Sequence, residues 1–287
     1  MSDTSLPNSG ASPAIDTPVA EPIGFRIDAG VAWITINRPE VKNALSPDHR
    51  DTIMDHLDEA AERLDVRAVV LTGTGSAFCT GADLRSPRPP RPRPEGAPSR
   101  VAGEVSRGIR TNAQRLITTV MDCEKPVIAA VNGVAAGMGA HLALACDLVI
   151  AADDASFVEV FVRRGLVPDA GGAYLLSRIL GPHKAKELFF FGDAVNAHEA
   201  HSLGLVNRVV PAADLLDAAA QWANRLATGP SRAISFCKAL VNRSMDLNRA
   251  ESLNAEAVFQ DLNMTTADAQ EGVLSFVERR SPVWQGW

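Results

Sequence analysis

The chain has 287 residues, 46% of them apolar, which is enough for one large domain with a sizeable core. A net charge of −6 argues against general affinity for nucleic acid or an anionic membrane surface, and no apolar run is long enough to span a bilayer. The four cysteines, Cys79, Cys123, Cys146 and Cys237, are scattered without metal-like spacing and read as reduced thiols of a cytoplasmic protein.

Residues 1–22 are rich in Ser, Pro, Ala and Asp and lack the basic start and apolar stretch of a targeting signal, so a disordered tail is expected. Val31–Ile36 alternates as a half-buried strand. Ser46-Pro47 caps and opens a helix running to about Arg63. Lys42, just before it, reads as a solvated loop charge or as a phosphate contact. Arg67–Thr72 is the next buried strand. It leads into Gly73–Leu84, where Gly81-Ala82-Asp83 places a glycine beside exposed amides.

Residues 85–99 carry four arginines among prolines, which excludes a helix or an inner strand. They form a surface loop, or a flap whose arginines meet an anionic ligand. A helix is expected from Val101 to about Met121.

Pro126–Asp147 is the centre of the chain. Pro126–Val131 is a buried strand, Asn132-Gly133 a turn, and Gly137 and Gly139 flank Met138 before a small-residue helix, Ala140–Ala145. The spacing fits neither a dinucleotide fingerprint nor a phosphate loop. Free amides at a helix start favour negative charge. The amides of Ala82 and Met138 could therefore converge on one oxygen and hold an enolate or a tetrahedral oxyanion.

Leu148–Ala152 is a strand. Ser156–Phe161 reads as extended, with Phe157, Glu159 and Phe161 on one face. Arg163–Tyr174 is a loop entering a helix. Helices follow at 182–191 and 197–202, a strand closes at Gly204–Val210, and the rest is helical to Arg280. Tyr174, Trp284 and Trp287 read as packing or interface residues.

These motifs together resemble the crotonase (enoyl-CoA hydratase/isomerase) superfamily. The resemblance is carried by Asn37-Arg38-Pro39 with Asn43-Ala44-Leu45, Ala77–Leu84, Pro126–Asp147, Gly165–Gly172 and Ala200–Val210. It implies an α/β fold, a spiral of ββα repeats over 23–210, with a helical trimerisation region over 211–287. It also implies a homotrimer or dimer of trimers and no metal or redox cofactor. The substrate would be a coenzyme A thioester whose carbonyl oxygen lies between the amides of Ala82 and Met138. Further substrate contacts are implied at Lys42, Ala44, Asp83, Leu84, Arg85 and Phe161.

The hydratases of that superfamily use two glutamates, and the matching positions here hold His141 and Phe161. Asp169 stands where several isomerases carry an acid, and the segment Arg164–Gly172 is similar to the isomerase of the phenylacetyl-CoA pathway. An isomerase needs one proton shuttle and no activated water. Two roles stand open for Asp169: that shuttle, or an ordinary N-cap. His141, one turn after Met138 and on its helix face, borders the pocket as base, donor or water-holder, or is a neutral histidine bonded to a loop carbonyl. Glu159 is a rival base, or a half-exposed or arginine-paired glutamate. The expected activity is enoyl-CoA isomerisation. The alternatives are a hydratase or carbon–carbon hydrolase run by His141, and a catalytically silent acyl-CoA-binding protein.

Overall fold

In the computed structural model, residues 21–86 and 92–287 are described. The tail over 1–20 and the centre of the proline-arginine loop lie outside them. Strands β1 (Ile23–Asp28) and β2 (Val31–Ile36) form an antiparallel pair, and helix α1 (Pro47–Glu62) follows. Strands β3 (Ala68–Gly73) and β4 (Ala77–Cys79) come next, then α2 (Glu104–Gly108), a π-helical turn (Ile109–Gln114) and α3 (Arg115–Asp122).

The centre holds β5 (Val127–Val131), β6 (Val134–Ala136) and α4 (Met138–Ala145), then β7 (Leu148–Ala152), β8 (Ser156–Val158) and α5 (Gly172–Phe191). Strand β9 (Ala194–Asn196), α6 (Ala197–Ser202) and β10 (Arg208–Val210) close the strand-bearing part. Helices α7 (Leu215–Ala227), α8 (Ser231–Ser244), α9 (Arg249–Asn263) and α10 (Ala267–Glu278) complete the chain.

Two sheets result. One runs β1-β2-β3-β5-β7-β10 and the other β4-β6-β8-β9. Consecutive strands alternate between them: β3 then β4, β5 then β6, β7 then β8. Each turn of the chain thus adds one parallel strand to each sheet, which is the expected spiral. The inner strands β3, β5 and β7 of the larger sheet are apolar on both faces because helices or the second sheet cover both. Helix α4 is buried along its whole length. Its Gly and Ala residues let it pass close to the strands around it.

Several expected boundaries differ. Helix α4 starts at Met138 and not Ala140, because Gly137 takes φ 55°, ψ −124° and breaks the chain sharply there. The extended stretch ends at Val158, so Phe161 does not share a strand face with Phe157 and Glu159. Val160 N donates back to Val158 O and Phe161 is helical. The helix expected over 101–121 is split by the π-helical turn. The helix expected at 182–191 is present; a helix from Gly172 meets it across a non-helical break at Gly181 (φ 75°, ψ 166°) before Pro182, and the two together make α5.

Candidate active site

The first of the two amides comes from the loop after β4. Leu45 N donates to Gly81 O (2.8 Å) and Asp83 N donates to Leu45 O (3.0 Å). This bridge uses the groups on either side of Ala82. Its own N–H meets no acceptor among the described residues. The loop is clamped from outside. Arg38 Nη1 lies 3.0 Å from Asp83 Oδ2 and also donates to Ala44 O, while Arg85 N donates to Asp83 Oδ1 (3.0 Å). Burial would raise the Asp83 carboxyl, but the hydrogen bonds from Arg38, Arg85 and Ser86 hold it below the usual carboxylate range.

Asn43 anchors the other side. It is fully buried, in the left-handed region (φ 57°), accepts from Arg38 N (2.8 Å), and donates to Thr74 O (2.9 Å) and Ala77 O (2.6 Å).

The second amide opens α4. Gly137 N donates to Val158 O (2.8 Å), and His141 N donates to Gly137 O (3.1 Å) as the first helical bond, so Met138 N–H has no partner in the helix. The two loops touch. A methyl built on Gly81 would lie 3.5 Å from Met138 N, and one on Gly139 would lie 2.0 Å from Cys79 O. Space demands glycine at 139 and the backbone demands it at 81, where φ is 94°, and the two free amides are thereby brought to neighbouring turns.

Around them stand the ionisable residues. His141 Nε2 lies 3.0 Å from Glu159 Oε2, and both side chains are buried, at 0% and 6% exposure. Neither reading given above for the inactive case holds: Glu159 is buried, and among the described residues it pairs with no arginine and His141 bonds no loop carbonyl. Phe161 stacks on the imidazole with ring centroids 5.4 Å apart and planes within 12°. The two positions that the resemblance matches to the hydratase glutamates are thus packed against each other.

Asp169 lies half-buried in the loop before α5. It does not cap that helix. Gly171 (φ 77°) is the N-cap and no side chain bonds the first turn. Burial pushes the Asp169 carboxyl above the ordinary carboxylate range, with the charges of His141 and Arg50 opposing it.

Arg50 was not among the residues singled out in the sequence. It sits on α1, its Nε donating to Ser46 O (3.2 Å) and its Nη1 3.7 Å from Met138 Sδ. It precedes Ile53, Met54 and Leu57 by three, four and seven residues, so helical periodicity puts it on the buried face. Gly172 was also passed over. A methyl there would lie 2.1 Å from His141 Nε2, so the start of α5 must be bare for the imidazole to fit.

Of the other expected contacts, Lys42, Leu84 and Arg85 are exposed and Ala44 is half-buried. Among the described residues no group of three or more His, Cys, Asp or Glu side chains is disposed to hold a metal, and no helix is long and apolar enough to cross a membrane.

The family model described as enoyl-CoA hydratase/isomerase matches residues 26–287. The chain is 39% identical over 264 residues to a Rhodobacter capsulatus protein named "Probable enoyl-CoA hydratase", covering 92% of this chain and 98% of that one. It is 36% identical over 262 residues to the 1,2-epoxyphenylacetyl-CoA isomerase of Escherichia coli, covering 91% and 97%. Its structure superposes on the crystal structure of an enoyl-CoA hydratase from Bacillus anthracis with a TM-score of 0.83 at 32% identity, over 93% of this chain and 100% of that one.

Proposed function

The chain belongs to the enoyl-CoA hydratase/isomerase family, and from that premise we propose that it shifts a carbon–carbon double bond in an enoyl-CoA. The thioester carbonyl oxygen lies between the N–H groups of Ala82 and Met138. The Asp169 carboxylate takes the proton from the α carbon. The electron pair left behind moves into the carbonyl, and the two amides hold the oxyanion. The same carboxylic acid returns the proton to the γ carbon, so a 3-enoyl thioester becomes a 2-enoyl thioester with no atom gained or lost.

The observation that carries this reading is the state of Asp169. It is half-buried, caps nothing, and has its proton affinity raised, which suits a base that must also give its proton back. Two amides fixed by backbone geometry suit an enolate, and each such donor contributes roughly two to three powers of ten in rate. The hydratase arrangement needs two free acids. Here the corresponding positions are His141, bonded to Glu159, and Phe161, stacked on the His141 ring.

We propose further that the protein works as a trimer. Helices α8 to α10 present Val241, Met245, Leu253, Val258, Leu262 and Phe276 to solvent, each about half exposed or more, which favours burial against other copies.

The test is a panel of 3-enoyl-CoA thioesters given to the wild-type protein and to Asp169→Asn. Isomerisation by the wild type, lost in the variant, supports the proposal. Equal turnover by both removes Asp169 from the mechanism. Running the panel in oxygen-18 water separates the alternatives, since label enters a hydration or hydrolysis product and never an isomer. Tight acyl-CoA binding with no turnover of any thioester would leave the silent binder.

A further inference from the structure

Arg50 is a charged side chain at the site to which the proton shuttle of Asp169 gives no task. It stands half-buried on the inward face of α1, and two contacts fix its head. Nε donates to Ser46 O (3.2 Å) at the start of the helix, and Nη1 lies 3.7 Å from Met138 Sδ. The first contact limits where the guanidinium can reach. The second sets it against the residue whose amide opens α4.

Its charge is felt beyond Met138. Cys79 ends β4 three residues before Ala82; burial pushes its thiol up to about 12, and Arg50 opposes that rise. The Asp169 carboxyl is raised by burial and drawn back down by His141 and Arg50. One cation from α1 therefore stands within electrostatic reach of both amide-bearing turns and of the base.

The isomerisation moves a single negative charge. It starts on the Asp169 carboxylate, passes to the thioester oxygen as the α proton goes to that carboxylate, and returns when the acid protonates the γ carbon. Burial disfavours the charge at both ends of this path. The Ala82 and Met138 amides answer it at one end only. We propose that Arg50 is a positioning residue for the proton transfer: a fixed cation that balances this charge on the Asp169 carboxylate and on the thioester oxygen alike, without touching the substrate.

An arginine stays charged over the whole pH range in which a carboxylate base works, which a histidine does not. The other charged or titratable groups nearby are otherwise engaged. His141 faces Asp169 from α4 and lies 3.0 Å from Glu159. On α1, His49 Nδ1 lies 2.9 Å from Ser46 Oγ and Asp48 is exposed. Arg38 is paired with Asp83, and the Cys79 thiol stays neutral. This inference rests on Asp169 as the base, and names the residue that sets the pH range in which it works.

The experiment is the pH profile of kcat/KM for a 3-enoyl-CoA thioester with the wild type, Arg50→Met and Arg50→Lys, and with Asp169→Asn alongside. Arg50→Met removes the cation and leaves an unbranched apolar chain beside Met138. Its acid-side midpoint should move up, because the ionised carboxylate has lost a counter-charge. Its plateau should fall about tenfold, less than the two to three powers of ten typical of an oxyanion donor. Arg50→Lys keeps the charge; it should keep the wild-type midpoint and recover most of the plateau.

A midpoint unmoved in Arg50→Met would overturn the inference, since a purely structural loss lowers the rate alike at every pH. A midpoint raised equally in Arg50→Lys would also overturn it, by tracing the effect to the shape of the guanidinium and not to its charge. Turnover retained in Asp169→Asn would instead sink the base itself, and this inference with it, so the two failures are told apart by that variant. If Arg50→Met does not fold, Arg50→Gln removes the same charge and is judged by the same midpoint.

Discussion

Arg38 Nη1 and Asp83 Oδ2 lie 3.0 Å apart, joining the turn after β2 to the loop that presents the Ala82 amide. The two residues are 45 positions apart in sequence, and both side chains are largely buried, at 17% and 9% exposure. The pair has no view of a reacting atom on its own account. It fixes the loop whose Ala82 amide is proposed to hold the thioester oxygen.

Asp83→Asn should therefore harm both folding and turnover. Removing one partner of a fully buried pair costs about 3–5 kcal/mol; water reaches part of Arg38, so about 2 kcal/mol is expected here. Turnover should fall about tenfold or more, since a displaced oxyanion donor loses part of its two to three powers of ten. Thermal melts and steady-state kinetics on one preparation check both. A lower melting temperature with unchanged kcat would make the pair purely structural.

Asp169→Asn should do the opposite to stability. The folded-state carboxyl is raised above the unfolded value near 3.9, so the folded chain holds that proton more tightly. Such a contribution is fully present below the unfolded value and is lost as pH rises through the folded one. At neutral pH the ionised, half-buried carboxylate is a net cost. The asparagine variant should melt higher than wild type at pH 7, with the gain shrinking as the pH is lowered towards about 4, and should have lost turnover. In the wild type, kcat/KM should fall on the acid side with a midpoint above the ordinary carboxylate value. A variant that melts lower at pH 7 would mean the carboxylate is holding structure together.

Gly139→Ala tests the contact between the two amide-bearing turns. The added methyl would stand 2.0 Å from Cys79 O, a main-chain atom that cannot swing aside. Either β4 or the start of α4 must move, at about 1–3 kcal/mol or more. Ala82 and Met138 move apart with them. Activity should fall by more than the loss of folded protein explains, measured as kcat per folded molecule by active-site titration with an acyl-CoA ligand.

The glycine turns were legible because their signal is local: a buried apolar run, a turn, then glycines before a small-residue helix. The spiral was legible in the same way, from strand-turn-helix units in succession. What escaped notice depends on distant partners. Glu159 meets His141 across 18 positions, and no periodicity announces that pairing. The alternation of Ser156–Phe161 pointed to one long strand, yet β9 pairs only as far as Val158 and the chain turns away. Asp169 after a proline looked like a cap, but Gly171 took that place. Gly172 is there because His141 leaves no room for a side chain. The helix over 101–121 was read through its polar middle, where the π-helical turn intervenes.

The end of the chain makes a closed exchange with α10 that can be broken at one residue. Asp268, 2% exposed, accepts from Gln285 N (2.7 Å) and Gly286 N (2.9 Å). In return the main-chain oxygen of Trp287 accepts from Ala267 N (3.0 Å) and Asp268 N (3.4 Å), amides that the helix itself leaves unpaired. Arg67 Nη2 ties the same segment to the sheet through Gln285 O (2.6 Å), and the Trp284 ring packs beside Gly272. Asp268→Ala removes the shared acceptor of two part-buried hydrogen bonds and should cost about 1–2 kcal/mol. The tail should then detach as a unit, taking Trp284 with it, so tryptophan emission should shift to the red at temperatures where circular dichroism still reports intact helices. Asp268→Asn keeps one accepting oxygen and should show a smaller shift. Emission unchanged in the alanine variant would show that Trp284 packing and Arg67 hold the segment without the carboxylate.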